Sequence, residues 1–162
     1  MKNFIYYTRF YLLLLTIVIL ILDFGSKQLI LNNFKLYESV QLITYFNLYY
    51  VQNTGVAFSF MADISEWNRW FFSFISIIIC IVLIFIMYRQ NINKKLINIS
   101  YSFVIGGALG NISDRLIHGF VVDFIDFHVG IYHWPTFNIA DMSICVGALL
   151  IVLDSFINTD KK

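Results

Sequence analysis

The sequence contains little charge for its length: only 13% of its 162 residues are Asp, Glu, Lys or Arg, whereas 59% are hydrophobic. A soluble domain usually carries about 25% charged and about 45–50% apolar residues. The surplus of apolar side chains needs a surface other than water, so the composition predicts a membrane protein. The net charge is +1 and no basic cluster occurs, so nothing indicates nucleic acid as a partner.

Cysteine is also scarce. Cys80 and Cys145 both lie within apolar runs, where a thiol behaves as a small hydrophobic side chain. Neither belongs to a Cys/His spacing that is typical of a metal site or a disulfide framework. We therefore expect no structural disulfide and no bound metal.

Four apolar segments are long enough to cross a bilayer, which requires roughly 20 mainly apolar residues. Within one expected domain, 1–162, they cover about residues 7–27, 70–88, 96–112 and 139–157. The first segment follows Lys2 and Arg9 as a secretory signal peptide would, but no small-x-small cleavage site comes after it. We therefore predict a retained helix and four transmembrane spans.

The basic residues predict the orientation of these spans, because Lys and Arg accumulate on the cytoplasmic side of a membrane. One side collects Lys2, Arg9, Arg89, Lys94, Lys95, Lys161 and Lys162. Both termini are therefore expected in the cytoplasm. With this topology, all acidic residues except Asp154 and Asp160 lie at or near the outer surface, which is where ionisable chemistry is predicted.

The loop between the first two spans has a pattern of its own. Apolar or aromatic residues recur at alternate positions from Val40 to Val51, which predicts one or two β-strands at the membrane surface.

The third span carries a polar stripe. Gly107, Asn111 and Arg115 follow one another at i, i+4 and so share one helical face. Gly106 and Gly110 form a small-xxx-small pair that suits close helix packing. Asn111 and Arg115 fit an organised polar site, but Arg115 also fits an interfacial anchor.

Two carboxylates from different segments are candidates for acid–base chemistry. Asp123 lies between apolar residues near the bilayer, where desolvation raises the pKa of a carboxyl group and suits it to proton transfer; a solvated loop or strand position is the alternative. Asp141 lies in the first turn of the fourth span, where it could complete a capping box with Asn138. The alternative is a functional role, because an ionisable residue within a membrane is a candidate functional residue. Two carboxylates that share one proton can activate a water and protonate a carbonyl.

The other ionisable residues favour structural interpretations. Asp23 and Lys27, at i, i+4 with the acid first, predict a helical ion pair. Asp126 is interpreted as a solvated acid or as the outward face of a strand. None of the histidines has an acidic partner at a telling distance in the sequence; they are His118, His128 and His133.

Five motifs follow one another from the first span to the fourth. They are Asp23-x-x-Ser26-Lys27, Asn53-Thr54-Gly55-Val56-Ala57-Phe58, Gly106-Gly107-Ala108-Leu109-Gly110-Asn111-x-x-Asp114-Arg115, Val121-Val122-Asp123-Phe124 and Phe137-Asn138-x-Ala140-Asp141. Together they resemble the successive motifs of the lipoprotein signal peptidase family. Each motif alone is weak, but five in order on the predicted topology are highly specific.

The resemblance implies an intramembrane aspartic endopeptidase that removes signal peptides from prolipoproteins, cleaving before the diacylglyceryl-modified cysteine with two aspartates and a water. It implies an all-α four-helix membrane bundle with a small extracytoplasmic β-sheet and a short interfacial helix. No metal or organic cofactor is implied, and the expected partners are diacylglyceryl-modified prolipoproteins and membrane lipids. We expect a monomer in the bacterial cytoplasmic (inner) membrane, with its active site at the outer face.

The resemblance also assigns residues. It implies that the catalytic aspartates are Asp123 and Asp141. The positions that match the family's substrate or inhibitor site are Asn53, Asn111, Arg115 and Asn138. A structural role is implied for Asp23 and Asp114, and Lys27 is expected to share it as the partner of Asp23.

Residues 53–60 are expected to form part of the rim of the site. Asn53 would contact the substrate backbone, Gly55 would permit a close backbone approach, and Phe58 and Phe60 would cover the apolar side. The alternative is an ordinary interfacial turn after a strand.

Two other classes of protein remain open. A small transporter or channel would need polar residues that continue to the inner side, whereas the second span offers only Ser73, Ser76 and Cys80. A scaffold protein would need no paired acids. Both classes predict that function survives when Asp123 or Asp141 becomes Asn.

Overall fold

The computed structural model describes residues 2–55 and 65–159. Its helices are α1 (Lys2–Asn33), α2 (Ser65–Arg89), α3 (Lys95–His118) and α4 (Ile139–Thr159). Each contains a stretch long and apolar enough to cross a membrane, which confirms the predicted fold class. The helices extend past the predicted spans, since an apolar run marks the lipid-facing part of a helix and not its ends. The clearest case is α1, which continues six residues past the predicted end at 27, to Asn33.

Four short strands form one antiparallel arrangement at one end of the bundle. They are β1 (Ser39–Ile43), β2 (Phe46–Asn53), β3 (Val121–Val129) and β4 (Tyr132–His133), paired in the order β1-β2-β3-β4. The strands predicted between Val40 and Val51 are therefore present as β1 and β2. The first two strands connect α1 to α2 and the last two connect α3 to α4, which places all four at the same end. Within the described ranges no separate short helix occurs, so the interfacial helix stays a prediction.

Helix α3 lies at the centre of the bundle and contacts the other three helices. Its glycines explain how the neighbours come so close. A Cβ added at Gly106 would lie 3.0 Å from Ile19 of α1, and one at Gly107 would collide with the backbone carbonyl of Ala140 in α4. The close packing predicted from the small residues is therefore present, and it brings α1 and α4 against the polar part of α3.

Strand β3 is joined directly to the segment that starts α4. The carbonyl of Phe137 accepts hydrogen bonds from the backbone N–H groups of Phe124 and Ile125, at 3.0 and 2.8 Å. The N–H of Phe137 donates in return to the carbonyl of Ile125 at 3.1 Å. These bonds hold Asp123 on β3 beside the first turn of α4, which carries Asp141.

Candidate active site

Asp123 is buried on β3, with only 2% of its surface exposed. Asn53 donates its Nδ2 to one carboxylate oxygen at 2.9 Å, and Asn138 donates its Nδ2 to the other at 2.7 Å. Burial, followed by the negative charge of Asp141, raises the pKa of Asp123 to about 7, although the two amide donors and Lys27 act in the opposite direction. The carboxyl group is therefore partly protonated at neutral pH.

Asp141 makes two kinds of contact. Its N–H donates to Asn138 Oδ1 at 2.9 Å, and the N–H of Asn138 donates to Asp141 Oδ2 at 3.3 Å, so the capping box is present. Its other oxygen, Oδ1, accepts from Asn111 Nδ2 at 2.8 Å. Asp141 therefore caps α4 and also faces the polar stripe of α3, and the capping role does not exclude the chemical one.

Asn138 links the two aspartates. Its side chain is fully buried and contacts Asp123 through Nδ2 and the backbone of Asp141 through Oδ1. The same Nδ2 also lies 3.3 Å from Asn111 Oδ1. One amide side chain thus joins β3, α3 and α4. The sharing of a water between the two carboxylates stays a prediction.

A buried ion cluster lies beside the aspartates. Lys27 Nζ lies 2.8 Å from Asp23 Oδ2 and 2.9 Å from Asp114 Oδ2, and it donates to Asn111 Oδ1 at 3.0 Å. The predicted ion pair between Asp23 and Lys27 is present, but it belongs to a cluster that reaches the candidate site. Helical spacing could not predict the contact between Lys27 and Asn111, because 84 positions separate them.

Arg115 approaches the same cluster from α3. Its Nη1 donates to the carbonyl of Asn111 at 3.4 Å, and its guanidinium lies 5.7 Å from the ring centroid of Phe72. The charge of Arg115 attracts both Asp141 and Asp123. Its Nε is buried and has no hydrogen-bond partner among residues 2–55 and 65–159.

Gly55 controls the orientation of Asn53. Its N–H donates to Asn53 Oδ1 at 2.8 Å, which leaves the Nδ2 of Asn53 to face Asp123. Gly55 has a φ of 100°, and an added Cβ would lie 2.6 Å from the ring of Phe72. The close approach observed here is therefore to α2. Phe58, like Phe60, lies outside the described residues.

Comparison with known proteins identifies the family. The family model for signal peptidase (SPase) II matches residues 15–157, which is most of the chain. The chain belongs to the signal peptidase II family. A lipoprotein signal peptidase of Photorhabdus laumondii is 62% identical over 148 residues, covering 91% of this chain and 89% of that protein. One of Serratia proteamaculans is 58% identical over the same length, covering 91% and 88%.

Solved structures agree with this assignment. A bacterial membrane enzyme superposes with a TM-score of 0.84 at 32% identity, covering 94% of this chain and 91% of that one. A second superposes with a TM-score of 0.77 at the same identity, covering 88% and 90%. The described residues include four helices that could span a membrane, so this signal peptidase II family member is a bacterial multi-pass membrane protein of a peptidase family.

The sequence-based interpretation of Asp126 is wrong for this signal peptidase II family member. Asp126 is buried, not solvated: Asn47 Nδ2 donates to its Oδ2 at 2.8 Å, and His133 Nδ1 lies 2.8 Å from its Oδ1. The hairpin at Gly130 returns β4 alongside β3 and brings His133 to Asp126. Spacing along the sequence did not indicate this acid–histidine pair, although the glycine between two strand-like segments was a signal for the hairpin.

Proposed function

We propose that this protein is an intramembrane aspartic endopeptidase that removes the signal peptide from prolipoproteins. Cleavage would occur before the diacylglyceryl-modified cysteine, with Asp123 and Asp141 acting on a water. The observation that carries the proposal is the contact of one buried side chain, Asn138, with both Asp123 and the backbone of Asp141. The name lipoprotein signal peptidase, borne by relatives of more than half identical sequence, supports the substrate class.

The two carboxylates differ in their surroundings, and this difference assigns their roles. Burial raises the pKa of Asp123 to about 7, so this carboxyl group can keep a proton and donate it. Asp141 accepts hydrogen bonds from Asn111 and Asn138 at the N-terminus of α4, where the helix dipole favours negative charge. The proton belongs to the pair, and the arrangement with a neutral Asp123 and an ionised Asp141 is the one proposed to react.

The reaction follows from these roles. Ionised Asp141 takes a proton from water as the water oxygen attacks the carbonyl carbon of the scissile bond. Neutral Asp123 gives its proton to the carbonyl oxygen, which yields a neutral tetrahedral intermediate. Asp141 then returns its proton to the leaving nitrogen as the C–N bond breaks, and the hydroxyl proton returns to Asp123. The two aspartates, which together form the proposed catalytic dyad, therefore end in their starting protonation states.

Substrate contacts are proposed for the polar groups around the dyad. Arg115 lies beside Asn111 and attracts both aspartates, so its positive charge suits a contact with the carbonyl groups of a substrate. Asn53 and Gly55 lie at the end of β2 and form the described part of the proposed rim. Asn111 and Asn138 hold the aspartates by hydrogen bonds to Asp141 and Asp123.

We place the site at the outer face of the bacterial cytoplasmic membrane, with both termini in the cytoplasm. Arg89, Lys94 and Lys95 lie at the junction of α2 and α3, at the end of the bundle opposite the strands. Basic residues favour the cytoplasmic side, so the strands and the dyad would lie outside. A substrate anchored by acyl chains would then reach the dyad by diffusion within the membrane.

Cleavage of one diacylglyceryl-modified precursor by purified protein in detergent tests the proposal. Asp123→Asn and Asp141→Asn should each lower cleavage by about 10³-fold or more while the protein remains folded. Asp126→Asn is the matched control, because it removes another buried carboxylate from the same strand. Substantial turnover by Asp141→Asn would leave that residue with a capping role only. Turnover by both variants would refute a mechanism that uses these two aspartates, and absence of cleavage by the native protein would favour a non-catalytic protein.

Recognition of the lipid is tested separately. The same precursor without its diacylglyceryl group should be cleaved much more slowly, because it lacks the acyl chains that the site is proposed to recognise. Equal cleavage of the two precursors would refute lipid recognition. Asn53→Ala should slow cleavage of the lipidated precursor, and a native rate in this variant would remove Asn53 from the rim without affecting the dyad.

A further inference from the structure

The ammonium group of Lys27 has three N–H donors, and each of them has an acceptor. Asp23 Oδ2, Asp114 Oδ2 and Asn111 Oδ1 lie 2.8, 2.9 and 3.0 Å from Nζ. Lys27 is only 1% exposed, and well-packed apolar residues can stabilise such a position as well as buried charges do. A contribution to stability therefore does not explain why charged residues occupy this position. The explanation lies in the groups that each partner of Lys27 holds in place.

The first partner holds the backbone next to Asp141. Asp23 contacts Lys27 through Oδ2, and its Oδ1 accepts the N–H of Ala140 at 2.8 Å. Ala140 is the residue before Asp141 in the first turn of α4. The ion pair between Asp23 and Lys27 thus fixes where α4 starts relative to α1.

The second partner holds the backbone next to Asp123. Asp114 Oδ2 contacts Lys27 and also accepts the N–H of Val122 at 3.0 Å. Val122 is the residue before Asp123 on β3 and is fully buried. The same ammonium therefore reaches the segment of each aspartate through one carboxylate.

The third partner fixes a side chain that contacts Asp141 itself. One end of the Asn111 amide faces two donors, Lys27 Nζ and, at 3.3 Å, Asn138 Nδ2. Because both neighbours donate, this end must be the oxygen, Oδ1. The NH2 end then faces Asp141 and donates to its Oδ1 at 2.8 Å. Without the ammonium, the amide of Asn111 loses the stronger of the two donors that set its orientation.

We infer that Lys27 is the positioning residue for the dyad: through Asp23, Asp114 and Asn111 it sets the distance and orientation between Asp123 and Asp141. This inference rests on the proposed function. Lys27 touches none of the reacting atoms, and its effect is carried by the three groups that it binds.

The charge of Lys27 provides a second readout. It lowers the pKa of Asp123, against the burial and the charge of Asp141 that raise it, while Arg115 of α3 attracts both aspartates. Removal of the ammonium should therefore raise the pKa of Asp123 and move the high-pH limb of activity upward. A lysine that served folding alone would change the amount of folded enzyme but not the pH dependence of each folded molecule.

The test compares native protein with Lys27→Met, which has an apolar side chain of similar length. Cleavage of the diacylglyceryl-modified precursor is measured in detergent as kcat and KM per folded molecule, across the neutral pH range. We expect kcat to fall about 100-fold with little change in KM, since a misplacement of about 1 Å has this effect on a catalytic group. Ser143→Ala is the matched control, because Ser143 is a buried polar residue that donates to the carbonyl of Phe103 at 2.7 Å, away from Lys27.

Lys27→Met leaves two buried carboxylates without their cation, so a second variant combines Lys27→Met with Asp114→Asn and removes one of those charges. It should show the same loss of kcat and the same upward shift of the pH profile. The inference is overturned if either folded variant has the native kcat and pH profile, or if neither variant folds, because Lys27 would then serve the bundle alone.

The failure of this inference and the failure of the proposed function have different signatures. Native protein that does not cleave the lipidated precursor would refute the proposed function. Native cleavage that is lost in Asp123→Asn but kept in the Lys27 variants would refute only the positioning role of Lys27.

Discussion

The burial of Asp123 predicts that the protein loses stability when this carboxyl group ionises. Its pKa is raised from its ordinary value of 3.8 to about 7, mainly by burial. Between about pH 4 and pH 7 the folded state therefore keeps a proton that the unfolded chain has released. The favourable contribution is fully present below about pH 4 and is lost as the pH rises through about 7. The free energy of unfolding should fall over this range.

The size of this effect follows from the same pKa. The difference between 3.8 and about 7 corresponds to about 4 kcal/mol, at about 1.4 kcal/mol for each unit of pKa. This value is an upper bound, because Asp141 shares the proton. Asp123→Asn is neutral at every pH. Asn53 and Asn138 donate to different oxygens of Asp123, so the one amide oxygen of the variant can replace only one of these two acceptors. Relative to native protein, the free energy of unfolding of Asp123→Asn should be lower by about 1 kcal/mol at every pH because of the lost acceptor. As the pH rises, the variant should gain up to about 4 kcal/mol relative to native protein, because it has no carboxyl group to ionise.

Unfolding by denaturant in detergent micelles, followed from about pH 4 to about pH 8, measures this difference. Native protein and Asp123→Asn are compared at each pH, and the variant should lack cleavage activity throughout. Asp126→Asn controls for loss of a buried, hydrogen-bonded carboxylate on the same strand, because its partners are Asn47 and His133. A stability difference between native protein and Asp123→Asn that does not change with pH would contradict a raised pKa of Asp123.

In the native enzyme, kcat/KM should fall as the pH rises through about 7, because Asp123 must be protonated to donate to the carbonyl oxygen; a flat profile into the alkaline range would contradict this role. Asp126→Asn should keep cleavage within about threefold of native while lowering the free energy of unfolding by about 1–3 kcal/mol, and a complete loss of cleavage would assign Asp126 to the site. Gly107→Ala should lower the melting temperature in detergent, because its Cβ would collide with the carbonyl of Ala140; a native melting temperature would show that α3 and α4 can separate without cost. Asp23→Asn should reduce the amount of folded protein in membranes, since it removes one of the two carboxylates that pair with the buried cation of Lys27, and an unchanged amount on an immunoblot would count against this.

Several features of this protein could be predicted from the sequence because they are local. The four spans follow from the length of apolar runs, and the strands between Val40 and Val51 follow from alternation. The ion pair of Asp23 with Lys27 follows from helical spacing, and the pairing of Asn138 with Asp141 follows from the pattern of a helix start. In each case the interacting residues are neighbours on one element, so their geometry is set by its period. The resemblance to the family motifs identified Asp123 and Asp141 as the catalytic aspartates, and this role stays a prediction.

The environment of those two residues depends on how the helices and strands pack against one another. Which side chain meets Lys27 depends on the rotation of α3 against α1, and this brings Asn111 to it from 84 positions away. The burial of Asp126 depends on the return of β4 alongside β3, which turns an acid expected in solvent into the partner of His133. Periodicity defines the face of an element on which a residue lies, but not the element that covers this face. The contacts around Asp123 therefore arise from packing between elements that are distant in the sequence.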